Sequence, residues 1–223
     1  MEKIQQLAQT TFSNLPPEKQ EKIVAAAVRE FARHGYKKAS INTIVREAGI
    51  AKGSLYQYFR NKEVLFVFIF ERFTLLVKKA VKEQETGLED DFFNQVGRVL
   101  LAGIGFVDRH PDYFQIYLRV LFEQDVPMRE KLLAQVRLFS REYFGPLCQA
   151  GQKSGAIRRD IPLAMVIFVL DATLDRFLQS YAQGVLDRDL GLTQISSEAL
   201  PAQVNMMLQV LREGLAVSGN SSN

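Results

Sequence analysis

The sequence predicts an all-α protein, with an N-terminal three-helix helix-turn-helix domain joined by a long fourth helix to a C-terminal helical bundle. Three observations predict it. Apolar residues recur every three or four positions along most of the chain, and no stretch alternates as a half-buried strand does. Proline or a short polar residue stands at the start of the periodic stretches, and glycine closes several of them. One stretch, opened by Asn61, keeps the helical pattern to about residue 85, roughly 35 Å at 1.5 Å per residue, long enough to connect two bodies.

The elements follow in order. The first predicted helix opens at Pro17, which a first turn tolerates, and Glu18 suits the positive end of the helix dipole. Ile23, Ala27 and Phe31 form its apolar stripe with Val24 and Val28 beside them, and Gly35 ends it. The second opens at Ser40, a good cap, and closes at Gly49. The third covers about 51–59 and the fourth opens at Asn61. After "ETGLEDD" come helices over about 92–109, from Pro111 through "PDYFQIYLRVLFE", and over about 127–151 with Pro146 as a kink. "GQKSGAIRRD" reads as a loop. A strongly apolar helix over 162–183 is expected to be capped by Asp160, and a last helix to cover about 201–215. The tail "SGNSSN" is expected to be disordered. The domain reading is 1–62 for an N-terminal extension and helix-turn-helix, 63–217 for the bundle, and 218–223 for the tail.

Composition narrows the class. Net charge is only +3, but residues 1–62 hold eleven Lys/Arg against five Glu and no Asp, a net of +6, and the remainder nets −3. A basic head on a mildly acidic body suggests an anionic partner at one end. The single Cys148 cannot form an internal disulfide, and the first residues lack a basic-then-apolar leader pattern, so a reducing cytoplasm is the expected setting. The apolar run "VLFVFIF" is too short to span a bilayer, so no membrane partner is expected. There is no HExxH, no CxxC and no glycine-rich phosphate loop. His34 and His110 lie far apart, and Cys148 reads as core. No enzymatic activity, metal or cofactor is therefore expected.

The head carries the sharper signal. Two short helices meeting at a glycine form an arrangement suited to reading duplex DNA. On a helical projection of the third helix, Leu55 and Phe59 share the buried direction. Gly53, Gln57 and Ser54 then face outward, with Tyr56 and Tyr58 on either side. Gln57 would pair with a base edge, and Gly53 would let backbone approach the groove. The two Tyr hydroxyls would reach phosphates. Lys52 and Lys62 supply cations at helix starts, and Ser40 a hydroxyl. The plain alternative is a solvated surface helix, which would more commonly carry Glu and Ala.

Residues 22–66, "KIVAAAVREFARHGYKKASINTIVREAGIAKGSLYQYFRNKEVLF", resemble the N-terminal domain of the tetracycline-repressor (TetR) family of bacterial transcription regulators. The matching pieces are FARHGY, the IV..AGIAKG.LY.YF core and the N-K-E-x-L opening of the fourth helix. The resemblance implies an all-α homodimer of about nine helices per subunit, whose C-terminal domain binds a small effector and forms the dimer. It implies DNA contacts from Ser40, Lys52, Gly53, Ser54, Tyr56, Gln57, Tyr58 and Lys62. There are two departures: Ala51 stands where the family often has Ser or Thr, leaving the third helix without that cap, and Val45 replaces a commoner Ala.

The bundle is rich in aromatics. Phe66, Phe70, Phe93, Phe106, Tyr113, Tyr117, Phe139 and Tyr143 either fill an ordinary core or line an apolar cavity with polar handles. Residues alone favour the core; the resemblance adds a site for a small lipophilic effector. Gly97, Gly103 and Gly105 would leave room beside their helix. Asp171, inside an apolar helix, would pair with Arg176 or another basic residue across the dimer, or meet a ligand. Phe168, Leu174, Phe177, Tyr181, Met207, Val210 and Leu211 on the last two helices would suit an isologous dimer face, although packing within the chain could absorb much of that surface. The leading expectation is a ligand-responsive repressor binding a palindromic double-stranded DNA operator as a homodimer. The alternatives are a helical small-molecule-binding protein or enzyme, and a DNA-binding regulator without an effector.

Overall fold

The structure, a computed structural model, describes residues 10–83 and 91–215, and of Phe139 the backbone only. Most of "ETGLEDD" and the whole 218–223 tail lie outside the described residues. Ten α-helices order the rest: α1 Thr10–Ser13, α2 Pro17–Lys38, α3 Ile41–Ala48, α4 Lys52–Tyr58, α5 Lys62–Lys82, α6 Phe92–Arg109, α7 Pro111–Phe122, α8 Arg129–Ser154, α9 Leu163–Ala182 and α10 Leu200–Leu215. Two single 3₁₀ turns, Arg188–Leu190 and Leu192–Gln194, lie between α9 and α10. The expected all-α fold is what forms.

The chain divides into two compact units. One comprises the described residues within 1–77 and 110–135, and the other those within 78–109 and 136–223. In the first, the predicted stripe of α2 is buried as expected: Ile23, Ala27 and Phe31 are wholly covered, with Val24 and Val28 close behind. Phe31 and Tyr36 both meet the ring of Phe66 edge-on, at 5.0 and 5.4 Å between centroids. Phe66 therefore belongs to the core of the head. Helix α7 is apolar almost all round, with Phe114, Ile116, Tyr117, Leu118 and Val120 buried, and it packs along α2.

The junction of α2 and α7 has a specific chemistry. Gly35 ends the first helical run as expected, breaking it with a kink at φ 67°, ψ 173°, and a short second run continues to Lys38. The carbonyls released by that kink meet Arg119 of α7. Its guanidinium donates to Ala32 O at 2.7 Å and Arg33 O at 2.8 Å, and it pairs with Glu123. Such donors satisfy the orphaned acceptors at a helix end and favour its negative pole. Lys37 pairs with Asp125 at 2.9 Å just beyond. Arg72 of α5 reaches Glu21 of α2 at 2.7 Å and hydrogen-bonds Tyr113 of α7, joining three helices.

Glu71, beside it on α5, is half-buried. Burial pushes its carboxyl up to about 7, against the opposing pull of a hydrogen bond from the Gln135 side chain and the charge of Lys131. The unfolded chain releases this proton near pH 4.5, while the folded chain keeps it to about 7. Stability should therefore fall as pH rises between those values. Glu71→Gln is expected to flatten that slope and to gain about 1 kcal/mol at pH 8, after discounting for solvent screening. Thermal melts of both proteins at pH 5 and pH 8 check it; a parallel pH dependence would contradict the assignment.

In the second unit, α9 and α10 both pack on α6. Two of the three α6 glycines do not leave the expected room, while a Cβ on Gly105 would meet only Arg109, at 3.8 Å. A Cβ on Gly97 would stand 2.7 Å from Leu208, and one on Gly103 2.8 Å from Leu178, so the neighbouring helices occupy that space. Phe93, Phe106 and Cys148 are buried here, and burial pushes the Cys148 thiol up to about 12. Such a thiol is not a nucleophile near neutrality. Asp171 lies 3.8 Å from Arg137, while Arg176 instead pairs with Asp187 at 3.1 Å. The expected cap from Asp160 does not form: Pro162 precedes α9 without a side-chain cap, and Asp160 is held by Arg158. The helix expected from 127 begins at Arg129, after Met128 turns at φ 53°, and Pro146 stands inside it.

Candidate nucleic-acid interface

The reading unit is built from three local devices. Ser40 accepts from Thr43 N at 3.3 Å and starts α3. Its backbone N–H in turn donates to buried Glu30 at 2.7 Å, which fixes the turn to α2. Gly49 ends α3 at φ 67°, ψ 35°, with Gly49 N donating to Arg46 O and Ile50 N to Val45 O at 3.0 Å. That paired closure needs a left-handed residue, which glycine supplies without a Cβ clash. The helix α4 then leaves the turn without a side-chain cap, as the alanine at position 51 implied.

The burial of α4 is shifted from the projection. Leu55 and Phe59 are anchored in the core at 1% exposure each, as expected. Tyr58, expected beside the exposed face, is buried at 8%. Its ring meets Phe12 of α1 edge-on at 6.0 Å. Tyr56, by contrast, is 41% exposed. The open face of α4 therefore consists of Lys52, Gly53, Tyr56 and Gln57, with Ser54 half-covered at its margin. A Cβ on Gly53 would meet nothing within 4 Å, so the fold itself does not require glycine there.

The two remaining predicted contacts are partly engaged. The Ser40 hydroxyl accepts in the cap but keeps its own proton to donate. Lys62 donates to Lys37 O and Ala39 O, both at 3.2 Å, and lies 4.7 Å from the centre of the Tyr36 ring. An ammonium has three protons, so one remains available. Asn61 caps α5 by accepting from Val64 N at 2.8 Å, leaving a positive helix end beside that cation. Lys38, Arg46 and Arg60 are further exposed cations of the head which the sequence reading passed over. Their only signal was the local charge excess.

The surface so formed is a basic helix-turn-helix, and residues 23–68 match the family model described as bacterial regulatory proteins, tetR family. That segment is a tetR-family head. The tetR-type head is followed by a body that also follows the family in layout. A relative from Escherichia coli strain K12, the probable acrEF/envCD operon repressor, is 24% identical over 76% of this chain and 79% of its own. The transcriptional repressor AcnR of Corynebacterium diphtheriae is 23% identical over 74% of this chain and 82% of its own. Among solved structures, a TetR family transcriptional regulator from Chloroflexus aurantiacus superposes with a TM-score of 0.72 at 26% identity, covering 95% of this chain and 99% of that one. FadR of Bacillus subtilis, in complex with stearoyl-CoA, shares the fold at a TM-score of 0.69 and 20% identity, over 86% and 97% of the two chains. The chain with this tetR-type head is thus a DNA-binding transcription regulator. No described helix is long and apolar enough to cross a membrane.

The body residues fall into two groups. Phe66, Phe70, Tyr113 and Tyr117 belong to the unit that contains the head, and Phe93, Phe106, Tyr143 and Asp171 to the other. The side chain of Phe139 lies outside the described residues. Phe70 meets Phe73, which stacks on Tyr117 at 5.4 Å. Burial pushes the Tyr113 phenol up from its ordinary value, partly countered by Arg72. Of the residues expected at a dimer face, Leu174, Phe177 and Leu211 are covered within their own unit. Met207 is partly covered, and Tyr181 donates to Asp108 at 2.8 Å. Phe168 and Val210 remain open at 60% and 67%, joined by Met165 and Met206, which the sequence reading missed.

Proposed function

We propose that this regulator is a repressor that binds a palindromic operator as a homodimer and is released by a small lipophilic effector. The observation that carries the reading is the open face of α4: Lys52, Gly53, Tyr56 and Gln57 around a glycine the fold does not need. Two copies of α4 enter successive major grooves, with half-sites about one helical turn apart or somewhat more. Gln57 reads a base edge, adenine being its best partner. Lys52, Lys62, Ser40, Ser54 and Tyr56 hold phosphates. Tyr58, its ring covered by Phe12, is the least accessible of the expected contacts.

Binding is measured by fluorescence anisotropy on the DNA upstream of the gene and on random duplex, at two salt concentrations. Absence of sequence preference removes the proposal. Gln57→Ala is expected to relax base choice at one position by about 1–3 kcal/mol. Gly53→Ala separates fold from reading. It should stabilise α4 by roughly 0.5–1 kcal/mol, yet weaken binding to the operator.

Dimerisation through α9 and α10 is supported by the open apolar side chains Met165, Phe168, Met206 and Val210. Phe168→Glu with Val210→Glu is expected to give monomers in sedimentation and to lose most operator affinity while the helical content is kept. Effector binding, in a body domain proposed to extend over 63–217, is supported by the family fold. FadR's ligand makes a long-chain acyl compound an early candidate in a thermal-shift screen. A cytoplasmic setting follows from the same reading.

A further inference from the structure

The short helix α1 precedes the matched region, yet it is tied to the far end of the reading helix. Phe12 is 2% exposed, and its ring sits 4.9 Å from Phe59, 5.4 Å from Phe68 and 6.0 Å from Tyr58 between centroids. Thr11 Oγ1 donates to Gln57 O at 3.2 Å, one of the last-turn carbonyls that α4 itself cannot satisfy. Leu15 N donates to Phe12 O at 3.1 Å, and Gln20 Nε2 donates to Leu15 O at 2.8 Å, which anchors this segment to the start of α2.

We propose that Phe12 and Thr11 are positioning residues for DNA reading: by clasping the last turn of α4, they draw Tyr58 inward and set the rotation at which Tyr56 and Gln57 meet the groove. The rotation is not dictated by α4 alone. Its own pattern centres the buried side between Leu55 and Phe59, which would leave Tyr58 at the margin. The aromatic cluster around Phe12 extends burial to Tyr58, and the opposite side of a seven-residue helix must turn outward with it. Beyond its core anchors Leu55 and Phe59, α4 passes to α5 through a three-residue link, so the aromatic clasp on its last turn bears directly on its angle. Small angular errors matter because bidentate base contacts need close alignment.

This rests on the operator-reading proposal above. The test compares specific and random duplex for wild type, Phe12→Ala, Phe12→Leu and Thr11→Val, with circular dichroism and sedimentation as controls. Phe12→Ala is expected to lower the specific-to-random affinity ratio about tenfold, the size of one mispaired base, leaving random-duplex binding within about twofold. Selection from a randomised operator should show the flattened preference at the position that Gln57→Ala also flattens. Phe12→Leu, which refills the volume, should restore most of the ratio. Thr11→Val removes only the hydrogen bond and is expected to lose roughly threefold, so it keeps the proposal testable if Phe12→Ala fails to fold. An unchanged ratio in folded Phe12→Ala, or in Thr11→Val where Phe12→Ala does not fold, overturns the proposal. An equal loss on both duplexes also overturns it, since that is the mark of general instability. If wild type itself shows no preference, the operator-reading proposal falls first.

Discussion

Gly35→Ala is expected to be the most damaging single-methyl change in the head, lowering its stability by about 3–5 kcal/mol. Two separate costs combine. At φ 67°, ψ 173° the backbone occupies a region that is essentially reserved for glycine, worth roughly 1–3 kcal/mol for any other residue. The added Cβ would also stand 2.6 Å from Glu123 Oε2 and 3.2 Å from Arg119 Nη1. Those side chains are flexible, but moving them undoes the ion pair between them and the hydrogen bonds of Arg119 to Ala32 O and Arg33 O. For a chain of this size the midpoint should fall by roughly 6–20 °C. Thermal and urea unfolding measure it. The double variant Gly35→Ala with Glu123→Ala divides the costs: it should recover the collision but not the backbone strain. A Gly35→Ala protein as stable as wild type would mean that the kink relaxes freely.

Arg119→Met comes second, with an expected loss of about 2–4 kcal/mol. The methionine keeps an apolar stem against α2 but removes the charged donors to two carbonyls. It also strips Glu123 of its cation beside buried Gly35. Arg119→Lys should recover less than half, because an ammonium cannot reach both carbonyls and the carboxylate with one planar fork. Full rescue by lysine would show that charge alone suffices. The functional consequence is sharper. Under the repressor proposal, an effector that displaces α7 would move α2 through Arg119. Arg119→Met is then expected to blunt effector-driven release more than it weakens operator binding. Release assays with a fixed effector against both proteins read the difference.

The sequence reading had one long helix, now α5, connect the two bodies. Within the unit that contains the head, α7 is packed along α2 and clamped to its carboxyl end, and Arg72 links α2, α5 and α7. Two elements therefore hold the head, not one. A signal reaching either α5 or α7 meets α2 through charged hydrogen bonds, which are directional and do not slide as apolar contacts do.

What was legible in the sequence was local. Ser40, Asn61 and Gly49 announced the ends of α3 and α5 because capping is settled within about four residues of chain. The stripe of Ile23, Ala27 and Phe31 was readable for the same reason, since helical period alone decides which side faces inward. The open face of α4 was read correctly at Gly53 and Gln57 and misread at Tyr58, because the ring that covers Tyr58 comes from Phe12, forty-six residues earlier. The room expected beside Gly97 and Gly103 was filled by Leu208 and Leu178 from the last two helices, and the Asp171 partner proved to be Arg137. Composition, caps and period by themselves determined an all-α chain with a basic helix-turn-helix head. Tertiary packing decided the rotation of the reading helix, the clamp at Gly35 and which apolar side chains stayed open, since each depends on what a distant segment covers, and no local pattern carries that distance.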